Sequence, residues 1–109
     1  MTLGDLIKYL KAQPPNKVLP IGFTSPHSYR GYYECLAFEP VENVLVGNML
    51  EDAITALGAT FQGYKGGDYT MKEHTECYLA NYGDCGEELG YTLLLLMLNA
   101  TEIPPRLTF

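Results

Sequence analysis

The sequence predicts an α+β domain in which a mostly antiparallel sheet of four or five strands carries two helices on one face. Three observations lead there. Two stretches repeat apolar residues at helical spacing and end on helix-stopping residues, and several short runs rich in β-branched and aromatic residues lie between turn signals. The 109 residues, 47% of them hydrophobic, suffice for one core.

Residues 2–13 predict the first helix. Leu3, Leu6, Ile7 and Leu10 share a face, Thr2 is placed to cap the first turn with Asp5 three positions on, and Pro14-Pro15 ends the pattern. Lys8 and Lys11 suit the end of the helix dipole and read as a solvated face. Residues 17–23 predict a strand that Pro20 pushes toward a sheet edge or a bulge. Residues 32–38 predict a second strand, with Tyr33, Cys35 and Ala37 on one side and Tyr32, Glu34, Leu36 and Phe38 on the other.

Residues 39–43 read as a connection, and residues 46–57 as the second helix. Met49, Leu50, Ala53, Ile54 and Leu57 follow its period, and Gly58 takes the place beyond its C-cap. Residues 59–64 and 75–82 predict strands, and Gly83-Asp84-Cys85-Gly86 a turn. The apolar run at 89–98 reads either as a central strand or as a buried helix; Tyr91 and Thr92 favour the strand. The expected organisation is one domain over residues 1–98 followed by an extended tail, 99–109, that contains Pro104-Pro105. No internal repeat is visible.

Composition excludes several functions. A net charge of −6 with seven Lys and Arg offers no basic stripe for duplex nucleic acid. The apolar run at 91–98 is far short of a membrane helix, which needs about 20 residues. Three cysteines without CxxC spacing, and no basic and apolar leader, predict reduced thiols and a cytoplasmic protein. Two histidines and three cysteines without repeated short spacing predict no metal site and no cofactor. Low charge with nine tyrosines predicts a homo-oligomer.

The costly side chains gather in two glycine-containing stretches. The first is His27-Ser28-Tyr29-Arg30-Gly31-Tyr32-Tyr33, and the second is Lys65-Gly66-Gly67-Asp68-Tyr69-Thr70. Arg30 offers a fixed fork of donors for phosphate, Lys65 a point charge, and Tyr29, Tyr32 and Tyr69 flat faces for a base. Gly31, Gly66 and Gly67 permit close approach of the backbone, while His27, Ser28 and Thr70 can orient a ligand by hydrogen bonds. A Gly-Gly pair before Asp is equally a plain tight turn, and each Tyr alone equally core or interface; the clustering is what argues for a site. The second stretch has the spacing of neither a Walker loop nor a dinucleotide fingerprint.

The two motifs, with the Thr-Leu-Gly start of the first helix, resemble a family of small, mostly uncharacterised bacteriophage and prophage proteins, over most of the chain up to about residue 88. In general character such proteins are similar to phage sponges, oligomers that hold signalling nucleotides of bacterial immunity without cleaving them. The resemblance implies a counter-defence protein of the cytoplasm of an infected or lysogenic bacterial host that sequesters an anionic nucleotide, a cyclic nucleotide or an ADP-ribose derivative. Two other readings remain at this level: a small nucleotide hydrolase working through His27, and an inhibitor whose Tyr-rich loops dock on a host enzyme. No acid–base pair or third orienting group accompanies His27 in the sequence, so binding without catalysis is the simpler expectation.

Overall fold

The computed structural model describes residues 1–28, 34–62, 67–81 and 84–102. The fold is α+β with a mostly antiparallel sheet, as expected. The elements in chain order are α1 (Leu3–Lys11), β1 (Val18–His27), β2 (Leu36–Leu45), α2 (Val46–Ala56), β3 (Thr60–Gln62), β4 (Asp68–Thr70), β5 (Cys77–Asn81), β6 (Asp84–Glu88) and α3 (Tyr91–Asn99). Four strands form the main sheet in the order β1-β2-β5-β6, and β3 and β4 pair separately. Neighbours are antiparallel except β2 and β5, which run parallel from Leu36↔Cys77 to Phe38↔Leu79. A parallel pair cannot be joined by a hairpin. Here the crossover is α2 followed by the β3–β4 ribbon.

The first helix forms where its pattern placed it. Asp5 N–H donates to Thr2 Oγ1 at 3.2 Å, and Leu3, Leu6, Ile7 and Leu10 are buried. Two further first-turn donors are met by the chain beside β5: Leu3 N–H reaches the Thr75 carbonyl and Gly4 N–H the Glu73 carbonyl, each at 2.8 Å. The Met1 ammonium donates to the Leu89 carbonyl at 2.8 Å and lies 3.7 Å from Glu76 Oε2. These ties fasten α1 beside β5 and β6 in addition to the packing of its apolar face.

The second helix ends at Leu57, after which Gly58 takes φ +86° and its N–H bonds the Met71 carbonyl at 2.8 Å. A residue with a Cβ rarely adopts that conformation, which is why glycine follows the cap. Pro20 does lie in an edge strand, since β1 closes one side of the sheet. One cluster unites Leu6 and Leu10 of α1, Met49 and Ala53 of α2, Leu94 and Met97 of α3, and Ile21, Phe23, Leu36, Phe38 and Leu79 of the sheet. A smaller cluster on the other face joins Ala37 and Ala80, with Tyr78 packed against them.

Several expectations change: β1 continues past residue 23 to His27, Glu34 and Cys35 lie in a turn ahead of β2, and Asp68–Thr70, read as part of the Gly-Gly loop, form β4. The run at 89–98 is a helix from Tyr91, so the described residues form three helices. Its buried residues, Leu93, Leu94, Met97 and Leu98, recur at helical spacing while Tyr91 and Leu95 face outward. Lys17 Nζ donates to the Leu98 carbonyl at 2.5 Å and so satisfies one of the last-turn acceptors. Residues 39–43, expected as a connection, continue β2, and 84–88, which include most of the expected turn, are β6. Among the described residues no helix is long and apolar enough to cross a membrane.

Candidate functional site

The short ribbon sets one wall of the candidate site. Thr60↔Thr70, Phe61↔Tyr69 and Gln62↔Asp68 pair antiparallel, and the Thr60 and Thr70 hydroxyl oxygens stand 3.0 Å apart across the strands. Phe61 and Tyr69 pack against the main core, so the ribbon is anchored by its aromatic side and leaves Asp68 and Thr70 exposed. Gly67 enters it with φ +83°. Beyond β4 the chain turns at residues 72–75, where Lys72 N–H donates to Thr75 Oγ1 at 2.8 Å and Thr75 N–H to the Lys72 carbonyl at 3.1 Å. Thr75 is the one buried polar residue among those described, and its hydroxyl holds this turn closed.

A cleft of about 710 Å³ opens between this wall and the chain entering β2. Glu34 and Cys35 border it on one side; Asp68, Tyr69, Thr70, Met71, Lys72, His74, Thr75 and Glu76 border it on the other. The size is that of a small-molecule site. Its lining combines an aromatic ring and a thioether with three carboxylates, of Glu34, Asp68 and Glu76, and one ammonium, of Lys72. Glu76 also faces the Met1 ammonium, which leaves Glu34 and Asp68 as the carboxylates more available to a ligand. Among the described residues no three His, Cys, Asp or Glu side chains gather in a way that could hold a metal ion.

The sequence-predicted residues divide into three sets. Tyr69 and Thr70 line the cleft, and Gly67 leads into their strand. His27 and Ser28 lie at the end of β1, outside the cleft's lining, with His27 bonded to Ser25 and Glu39. Tyr29, Arg30, Gly31, Tyr32, Lys65 and Gly66 lie outside the described residues. Glu34 and Cys35, which follow the first stretch in the chain, and Asp68, Tyr69 and Thr70, which complete the second, border the same cleft.

Sequence reasoning missed Glu34, Cys35, Asp68, Met71, Lys72, His74, Thr75 and Glu76 as lining residues. His74 reads from the sequence as an exposed turn residue, and it is exposed in a turn, but that turn forms the rim. The available signal was the spacing of Lys72 and Thr75, which suits a side-chain-closed turn immediately after the Gly-rich motif.

Cys35 and Cys77 are free thiols. Burial pushes the Cys35 thiol up, against a hydrogen bond with Tyr78 that acts the other way, and Glu34 and Glu76 add to the rise. Cys77, fully buried, is pushed from its ordinary 9.0 up to about 12, chiefly by burial, with the Met1 ammonium opposing. Thiolate is the reactive form, so neither group is poised as a nucleophile. Because the folded value for Cys77 exceeds the unfolded one, the stability it contributes is complete below 9.0 and is lost as pH climbs from 9.0 toward about 12. Iodoacetamide at about pH 8 is expected to leave Cys77 unmodified in the folded protein and to label Cys35 slowly, with rapid labelling of both in urea. Peptide mass spectrometry reads this directly; fast native labelling of Cys77 would contradict its burial.

Comparison with known proteins adds no relative: no family model, curated protein or solved structure matches the chain.

Proposed function

We propose that this chain is a binding protein that takes an anionic nucleotide into the cleft and holds it without cleaving it. The observation that carries the reading is a cleft of small-molecule size bordered by Asp68, Tyr69 and Thr70 of the second motif and by Glu34 and Cys35, which follow the first motif in the chain. Carboxylates repel phosphate, so Glu34 and Asp68 suit the hydroxyl and amine donors of a sugar and base. Tyr69 supplies a face for the ring. The phosphates fall to Arg30 and Lys65, four positions before Glu34 and three before Asp68 in the chain. In the phage setting implied by the motif resemblance, holding such a ligand removes an immune signal from circulation. A homo-oligomer belongs to the same proposal, supported by Val18 and Leu45, which stand opposite each other on β1 and β2 and are both exposed.

Calorimetry with cyclic dinucleotides and ADP-ribose derivatives tests the reading. One of them is expected to bind and to be recovered intact by chromatography. Arg30→Ala is expected to weaken that binding roughly 10- to 100-fold, the loss of a charge-assisted hydrogen-bond pair. Absence of binding across the panel, a hydrolysis product, or unchanged affinity in Arg30→Ala would each defeat it.

A further inference from the structure

The β1–β2 ladder is interrupted between Thr24↔Glu39 and His27↔Ala37. Over that interval β1 advances three residues and β2 two, so Ser25 and Pro26 together oppose Phe38. One extra residue on one strand is a β-bulge, and it transfers every later side chain to the other face. The alternation that carries Leu19, Ile21 and Phe23 into the core would carry His27 there too. After the bulge His27 shares the side of Ala37 and Glu39 instead.

The bulge has its own cost. Ser25 adopts φ 48°, a left-handed conformation that a residue with a Cβ adopts only when its surroundings hold it there. His27 supplies that hold from two sides. Its Nδ1 lies 2.8 Å from the Ser25 carbonyl oxygen, and its Nε2 lies 3.1 Å from Glu39 Oε1 across the strands. A carbonyl oxygen and a carboxylate oxygen both accept. Both contacts are hydrogen bonds at once only when both ring nitrogens carry hydrogen.

We propose that His27 is a proton-dependent latch: as an imidazolium it ties the Ser25 bulge to Glu39, and losing one ring proton releases one tie and weakens ligand binding. Among the described residues, Glu39 on β2 meets the ring, and the other charged groups on the elements packed against β1 are Glu42 on β2 and Glu51 and Asp52 on α2. Asp52 accepts from Thr24 Oγ1 at 2.8 Å, and Thr24 stands opposite Glu39. All are acidic, the sign that complements the latched ring. The binding half of the proposal rests on the reading that Arg30 meets the ligand; the latch itself does not.

Nitrogen-detected NMR of the imidazole from about pH 5 to about pH 8 reads the latch without any ligand. Both His27 nitrogens are expected to be protonated at the acid end, and the backbone amides of Ser25, His27 and Ser28 are expected to shift with the ring's own titration. Cyclic di-AMP and ADP-ribose are the binding probes. Affinity for whichever binds should fall roughly 3- to 10-fold as the ring loses its proton, the size of one hydrogen bond, and His27→Gln should flatten that pH profile. Glu39→Gln, which keeps the Ser25 tie, should move the ring's titration without abolishing the amide response. A ring neutral throughout, amides that ignore its titration, or the same pH profile in His27→Gln would overturn the latch. If the amides follow the ring but neither probe binds at any pH, the latch stands and the link to nucleotide binding is lost.

Discussion

Replacing Phe38 with alanine is expected to lower the unfolding free energy by about 3–5 kcal/mol, the usual cost of emptying a buried aromatic site. A protein of this size has about 5–15 kcal/mol in total, so the variant would sit close to its unfolding threshold. Phe38 is fully buried, its ring centroid lies 4.6 Å from that of Phe23, and its strand neighbour across the parallel pair is Leu79. It therefore touches the core at the point where the antiparallel and parallel parts of the sheet join. Neighbours drawn from two strands cannot all close around the gap, which argues for the upper part of the range. Urea unfolding followed by circular dichroism measures the loss. A loss under about 1 kcal/mol would mean that the sheet does not pack as described.

A second large effect is expected from Gly22→Ala, where two opposing terms can be compared. Removing a glycine from a strand gains about 0.4–1 kcal/mol by restricting the unfolded chain, if the new methyl fits. It does not fit: a Cβ at position 22 would lie 2.5 Å from Val44 Cγ1 and 2.9 Å from Met49 Sδ. Met49 has a flexible side chain that can yield, whereas Val44 is β-branched and its strand leads straight into α2. Overpacking of this kind costs about 1–3 kcal/mol, so the variant should be destabilised on balance. Adding Val44→Ala should recover part of the loss by making room. If the double variant were less stable than the sum of the two single losses, contact with Val44 would not be the cause.

Both helices with an amphipathic period were legible in the sequence, down to the Thr2 cap and the Gly58 stop, because those signals act within one turn of chain. Residues 91–99 were not. Six apolar residues in a row, 93–98, satisfy either period, and only the outward placement of Tyr91 and Leu95 against buried Leu94 and Met97 decides between them. Residues 39–45 were hidden by Pro40 and Asn43, both ordinary strand breakers. They are tolerated because β5 pairs β2 only from Leu36 to Phe38, which leaves Pro40 without a ladder bond to make on that side, and because Asn43 takes φ 53°, which asparagine accepts more readily than most residues. Of the candidate site, the ribbon residues Tyr69 and Thr70 were readable from their neighbouring glycines. The opposite border at Glu34 and Cys35 depends on a parallel pairing that no local pattern encodes.

That pairing also governs how the chain can reach its folded form. The strand partners Leu36 and Cys77, and the bond from the Met1 ammonium to Leu89, join positions separated by 41 and 88 residues (77 − 36; 89 − 1). Such closures lose chain entropy long before they return any contact energy, which slows folding relative to helical proteins of equal length. During synthesis α2 is available to cover part of the first helix early, but the tie from Met1 to Leu89 must wait until nearly the whole polypeptide has emerged.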